Sequence, residues 1–377
     1  MNHALVSICI AFAASLGFGV RASATPIYHL IDLALPEWNI SWSTGMNSSG
    51  QVTVHSNFNG KTLAYLYSGG TLTQLPLGTA KQGANAAGIN DSGQIAGTYV
   101  TTNLIARAMT YSNGTLTDLG ALPSNLNSGG LAINNLGQVA GYGFTSNGNP
   151  LAAVYSNGVF QSIGSFGSNF SAATGINNLG QVVGYSNTTT DGGAGHFFLY
   201  DGTMHDLGRG TATGINDSGQ IIGNTIVVLG GAAFVYSGGV THLLGTLQPS
   251  DTASFAHGID SKGDIVGNSG THVFDYTNAS GHGFLYTSGK MYDLNSLLDS
   301  SKLHWTVNDG TAINDSGWIA GEGFYSVNDN TTGVYHPILL IPVPEPGGLP
   351  LLVVGGLTAL AWTILRAEKN CASNVGR

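Results

Sequence analysis

Charge is scarce in this chain: Lys, Arg, Asp and Glu make up 8% of its 377 residues, and 20 acids against 11 bases leave a formal net charge of −9. There is no Lys/Arg run, so the basic footprint of a nucleic-acid partner is missing. Cysteine is almost absent as well. Cys9 lies near the N-terminus and Cys371 in the last seven residues, so no disulfide staples the body between them. No Gly-x-Ser-x-Gly elbow, phosphate-cradling Gly-x-x-x-x-Gly-Lys loop or Cys-x-x-Cys pair occurs, which removes the common nucleophile, nucleotide and redox motifs. No cofactor motif is recognised either. An apolar content of 42% weighs against disorder, and 57 glycines point to order built on backbone pairing and small-residue packing.

What the chain has in abundance is repetition. The phrase Gly88-Ile-Asn-Asp-Ser-Gly-Gln-Ile-Ala-Gly97 returns, varied, at residues 45–54, 132–141, 175–184, 214–223, 258–267 and 312–321. Its third position is Asn47, Asn90, Asn134, Asn177, Asn216, Asp260 and Asn314, in steps of 43, 44, 43, 39, 44 and 54 residues. A period in the forties suits one four-stranded propeller blade. Repeats that fill the chain argue for one closed body, residues 25–343, rather than two domains.

Each repeat encodes two hairpins. In Ile89-Asn-Asp-Ser-Gly-Gln-Ile95, two apolar residues flank a corner suited to a type I turn with Gly93 left-handed, closed by a bulge. Further on, residues 106–119 alternate around Asn113-Gly114, the dipeptide of a type I′ turn. That second turn recurs as Gly69-Gly70, Asn157-Gly158, Asp201-Gly202, Gly238-Gly239 and Ser288-Gly289. Two hairpins make four strands, the content of a blade. The last repeat lacks its outer strand, while Ile27-Tyr-His-Leu-Ile-Asp-Leu33 stands unattached at the other end and matches the missing piece. The expectation is therefore an all-β, seven-bladed propeller whose N-terminal strand completes the last blade and leaves no open edge. Each sheet is expected to begin near its Ile-Asn signature. A linear β-solenoid is the alternative, but its rungs usually repeat at shorter periods.

Two apolar segments bracket the repeats. Residues 4–20 end in Ala22-Ser23-Ala24, an A-x-A cleavage pattern, so residues 1–24 are expected to be a signal peptide. Residues 347–365 run without a charge for 19 positions, about 28 Å as a helix, and so match a hydrocarbon core of roughly 30 Å. Arg366, Lys369 and Arg377 follow, which keeps the tail cytoplasmic and the repeats outside.

The repeats resemble the bacterial extracellular HAF family through Gly195-His-Phe-Phe-Leu-Tyr200 and Gly281-His-Gly-Phe-Leu-Tyr286, each following an Ile-Asn phrase. Residues 344–377 resemble a PEP-CTERM sorting signal, with Val343-Pro-Glu-Pro346, an apolar span and basic Arg366; Glu368 departs from its usual basic cluster. The resemblance implies export by a Gram-negative-type bacterium and an inner-membrane precursor tethered through 347–365. It further implies cutting by an exosortase-type enzyme near Pro344, Glu345 and Pro346, then residence at the cell surface or in the extracellular matrix.

An Asn at the same place in every repeat is explained by local side-chain bonding in a turn; an active site needs a constellation that occurs once. Residues that break the pattern are the better candidates. The long sixth repeat holds His257, His272, Asp275 and His282, whose imidazoles and carboxylate make a site only if loops converge, and no metal-ligand spacing is present. Trp305 is an aromatic candidate for sugar or protein contact. Trp318, standing where other copies have Gln94, Gln138, Gln181 and Gln220, reads as packing across the closing blade. The leading expectation is a non-enzymatic envelope protein that binds exopolysaccharide or a protein partner. The alternative is a secreted propeller enzyme acting on polysaccharide.

Overall fold

The computed structural model describes residues 26–35, 41–58, 60–76, 81–190, 192–227, 230–271, 281–326 and 333–344. Seven antiparallel four-stranded sheets form blades of a propeller. Blades 1 to 6 are residues 41–74, 81–118, 128–164, 167–209, 211–243 and 253–293, each made of four consecutive strands. Blade 7 combines Trp305–Ile313, Ile319–Ser326 and Gly333–Val343 with Ile27–Asp32, which pairs along the outer side of Gly333–Val343. The ring closes as its ends predict, and a linear solenoid is excluded.

The signature is placed differently from expectation. It does not begin the blade; it is the turn between the first and second strands, so each first strand precedes its Ile-Asn phrase. Gly93 has φ 75°, and Gly50, Gly137, Gly180, Gly219, Gly263 and Gly317 share that left-handed conformation. Asn113 (φ 48°) and Gly114 (φ 80°) form the expected primed turn. Asp201-Gly202 departs from it: only Gly202 has positive φ, and Asp201 instead bonds Thr203 and His205.

Blades are held together by apolar seams rather than by charge. Ile95, fully buried, packs with Ala84, Ala86 and Met109 of its own blade and with Ala64 and Leu75 of blade 1. Val52, Val139, Val182, Ile221, Ile265 and Ile319 occupy the equivalent place and are at most 1% exposed. The closing glycine of the signature allows the first and second strands to approach this closely: a Cβ on Gly97 would overlap the Asn85 carbonyl oxygen, and one on Gly184 that of Ala172. Trp318 lies across Gly50 and packs in the seam between blades 7 and 1, as expected.

The closing strand is clasped from two sides. Tyr28, Leu30 and Leu33 are buried, and Leu33 N donates to Pro337 O at 3.0 Å. On its other side Asp299 N donates to Tyr28 O at 2.9 Å, and Leu30 N donates to Ser301 Oγ at 2.9 Å. The clasp comes from two short 3-10 turns, Leu294–Leu297 and Ser300–Lys302. Part of the long 54-residue step between the last two signatures is thus spent on holding the N-terminal strand. The histidines of the HAF-like phrase also have a structural use. His196 Nδ1 meets Asp206 and His282 Nδ1 meets Asp293, each at 2.9 Å, and His336 Nδ1 meets Asp32 at 3.0 Å, tying a third strand to an outer one.

Contacts divide the chain into residues 1–342 and 343–377, and only Val343 and Pro344 of the second unit are described. The signal segment 1–24 and the apolar span 347–365 lie outside the described residues. Among the described residues no helix is long and apolar enough to cross a membrane.

Candidate functional site: the axial channel

Equivalent residues from all seven blades border a channel on the ring axis. At its turn end, a cavity of about 340 Å³ is lined by the signature asparagines and the residues after them. Asn90 Oδ1 accepts from Ser92 N and Gln94 N, the local bonding expected of a turn asparagine. Its Nδ2 does more, donating across the seam to Asn134 O at 3.0 Å. Asn134, Asn177 and Asn216 repeat this bond to the next blade, and Asn314 donates to Asn47 O at 3.1 Å, joining the two ends of the chain. Asp260 has no such donor; there Lys262 Nζ reaches Asp315 O at 2.7 Å. The belt is a rivet repeated around the ring. Its carboxylates are consumed in the same way, since Asp91 accepts from Ser48 N and Asp217 from Asn178 N.

Below the belt, a collar of Met46, Ile89, Ile133, Ile176, Ile215, Ile259 and Ile313 separates this mouth from a second chamber of about 270 Å³. A β-bulge in each first strand inserts one extra residue just before the collar, as between Ala86 and Gly88 or Ala256 and Gly258. The inserted residues, Thr44, Ala87, Leu131, Thr174, Thr213, His257 and Thr311, line the chamber. Thr174 and Thr213 spend their hydroxyls on carbonyls of the next blade, Ala212 O and Ala256 O, at 2.8 Å. His257 instead approaches Asp309, Nε2 to Oδ2, at 3.5 Å.

Two residues further from the turn, the repetition ends. Cross-strand pairs there read Trp42/His55, Asn85/Thr98, Gly129/Tyr142, Ala172/Tyr185, Thr211/Asn224, Phe255/Asn268 and Asp309/Glu322. No two blades carry the same pair. Buried polar atoms without a hydrogen-bond partner gather in and beside this layer: His55 Nδ1, Asn85 Oδ1, His257 Nε2, Asn268 Oδ1, Asn308 Oδ1 and Asp309 Oδ1. Such atoms cost stability and call for an explanation other than folding.

The acid–base character of blades 6 and 7 follows from burial. Burial pushes the Glu322 carboxyl up to about 8, and neighbouring Asp309 adds to it. Asp309 is itself raised by burial, against a bond from Gly310 N. Burial holds the His257 imidazole down to about 4, although a third of its side chain stays open to the chamber. At neutral pH the group is a protonated carboxyl beside a neutral imidazole.

The sign of the resulting pH dependence can be worked out. Folded Glu322 keeps its proton up to about pH 8, whereas the unfolded chain releases it in the ordinary carboxylate range, so this residue's contribution falls as pH rises between them. That gap sets a ceiling of about 5 kcal/mol at about 1.4 kcal/mol per pH unit, and solvent in the channel brings the realised effect to about 1–3 kcal/mol. Urea melts should show Glu322→Gln gaining that much over wild type at pH 8 and nothing at pH 4. Parallel pH profiles for the two proteins would contradict the assignment.

The sequence candidates are dispersed. His257 lines the chamber, while His282 sits on the third strand of blade 6, engaged by Asp293 of the outer strand; the two are not brought together. His272, Asp275, Glu345 and Pro346 lie outside the described residues, and Pro344 follows the last strand, exposed. Trp305 packs within blade 7, 5.0 Å from the Tyr325 ring and over Gly323. Sequence reasoning missed Asp309, Glu322, Asn268, His55 and Asn85. Among the described residues no three His, Cys, Asp or Glu side chains gather as metal ligands.

No family model matches the chain, and no curated protein matches it. Solved structures do. It is similar to an oligogalacturonate lyase from Vibrio parahaemolyticus, with 13% identity, 84% of this chain and 94% of that one covered, and a TM-score of 0.50. It is also similar to a puromycin hydrolase, with 12% identity, 76% and 50% covered, and a TM-score of 0.51. TolB from Acinetobacter baumannii matches with 14% identity, 53% and 52% covered, and a TM-score of 0.40. The chain spans about half the length of the TolB and puromycin hydrolase structures. At such identities the likeness is one of fold, the β-propeller.

Proposed function

We propose that this is an exported, surface- or matrix-associated binding propeller that engages a polysaccharide at the far end of its channel, away from the signature turns. One observation carries the reading: the repeated residues are consumed in joining blades, whereas the layer around Asp309 and Asn85 repeats nowhere and keeps unpaired polar atoms. Export rests on the leader and the sorting-like tail, with an exosortase-type enzyme cutting near Pro344. A screen of producer-derived polymers against residues 25–343 tests it. Binding is expected to survive Ser92→Ala at the turn end and to weaken on the order of tenfold in Asp309→Asn, the worth of one lost polar contact. No binding to any such polymer would sink the reading.

The second reading, a secreted enzyme acting on polysaccharide, is favoured by His257, Asp309 and Glu322, which pair a neutral base with carboxyls kept protonated. Appearance of new chain ends in a bound polymer, abolished by His257→Ala, would move the protein into that class.

A further inference from the structure

A second cavity, of about 290 Å³, opens on the opposite side of the ring from the His257 group, between blades 1, 2 and 3. Thr62 and His55 of blade 1, Asn85 and Thr98 of blade 2, and Leu131 and Tyr142 of blade 3 line it. A second bulge in the first strand of blade 2, between Lys81 and Gly83, bends that strand at the cleft. His55 is 7% exposed, and its ring stacks on Trp42 at 4.4 Å, which fixes its orientation. Its Nδ1 and Asn85 Oδ1, both buried, have no hydrogen-bond partner. Tyr142 folds over Gly129, where an added Cβ would lie 2.8 Å from the phenol oxygen.

We infer that this cleft is a binding site for one uncharged, hydroxyl-bearing ring, a single neutral sugar residue. The inference rests on the binding reading above and names the ligand class and a subsite for it. Size comes first: the volume lies at the lower end of ligand pockets, roughly 300–1,000 Å³, so it admits one ring and not a polymer segment. Charge comes second. No Lys, Arg, Asp or Glu lines the cleft, and burial holds His55 below the usual imidazole range, so neither an acid nor an amine would find a counter-charge. Bonding capacity comes third. An amide carbonyl, an imidazole nitrogen and a phenol hydroxyl offer acceptors and donors together, which suits hydroxyls that both give and take hydrogen bonds. Apolar Leu131 and Val100 complete the wall, against which the carbon face of a ring can lie.

The test uses the full-length chain in mild detergent and saturation-transfer NMR with methyl glucoside, methyl galactoside and methyl mannoside, with glucuronate and glucosamine as charged competitors. At least one neutral glycoside is expected to bind, and neither charged sugar to displace it. Asn85→Leu removes the orphaned carbonyl. If that carbonyl serves a ligand, the variant binds on the order of tenfold more weakly while its thermal midpoint stays or rises, because no folding contact is lost. Tyr142→Phe, which keeps the ring, should weaken binding by a similar factor. Silence from all three glycosides, equal competition by a charged sugar, or undiminished binding in both variants would overturn the inference. If wild type still binds a polymer and Asp309→Asn loses it, these failures leave the broader binding reading standing.

Discussion

Replacing Gly97 with alanine lowers stability by about 3 kcal/mol or more, seen as a thermal midpoint lower by about 5–10 °C. A Cβ at this position meets the Asn85 carbonyl oxygen of the paired strand, and neither partner is the end of a flexible side chain, so the strands themselves must part. The same overlap recurs at Gly141, Gly184, Gly223, Gly267 and Gly321; blade 1 places Val54 there, so the rule holds for six blades. Gly114→Ala is the control. Nothing lies within 4 Å of its added Cβ, and its cost is the backbone preference alone, about 1 kcal/mol. A Gly97→Ala midpoint no lower than that of the control would remove close strand approach as the reason for the glycine.

Deleting residues 26–35 is expected to cost more still. The segment buries Tyr28, Leu30 and Leu33, worth about 1.5–3 kcal/mol each, a sum that rivals the whole stability of a typical domain. It also exposes the long edge of Gly333–Val343, a template for pairing with another copy. The truncated protein should aggregate or melt far below wild type, and a synthetic 26–35 peptide should restore part of the midpoint. A soluble truncation with an unchanged midpoint would show that the ring holds without its closing strand.

Much of this architecture was legible because it is local. The turn glycines, the alternating hairpins and the unattached Ile27–Asp32 strand all sit within a few residues of the signals that specify them. The riveting of Asn90 to Asn134 was not legible: its partner lies 44 residues away, and the local turn role already accounted for the residue. Nor were Asp309 and Glu322, separated along the chain but directly opposed across two strands. One signal was available. Five residues before each signature asparagine or its Asp260 counterpart stand Trp42, Asn85, Gly129, Ala172, Thr211, Phe255 and Asp309, no two alike in an otherwise repetitive chain. Histidine count misled instead, since His282 is an outer-strand tie and part of the sixth repeat's added length clasps the N-terminal strand.

The central claim is a division of labour along the channel: repeated residues at the turn end hold the ring, and unrepeated residues at the far end meet the ligand. Hydrogen–deuterium exchange with and without a bound polymer from the screen tests it most directly. Protection is predicted in residues 41–43, 83–86 and 307–310 and in the facing 322–324, with turns 47–50, 90–93 and 134–137 unchanged. Protection centred on those turns, with the far end unaffected, would contradict it.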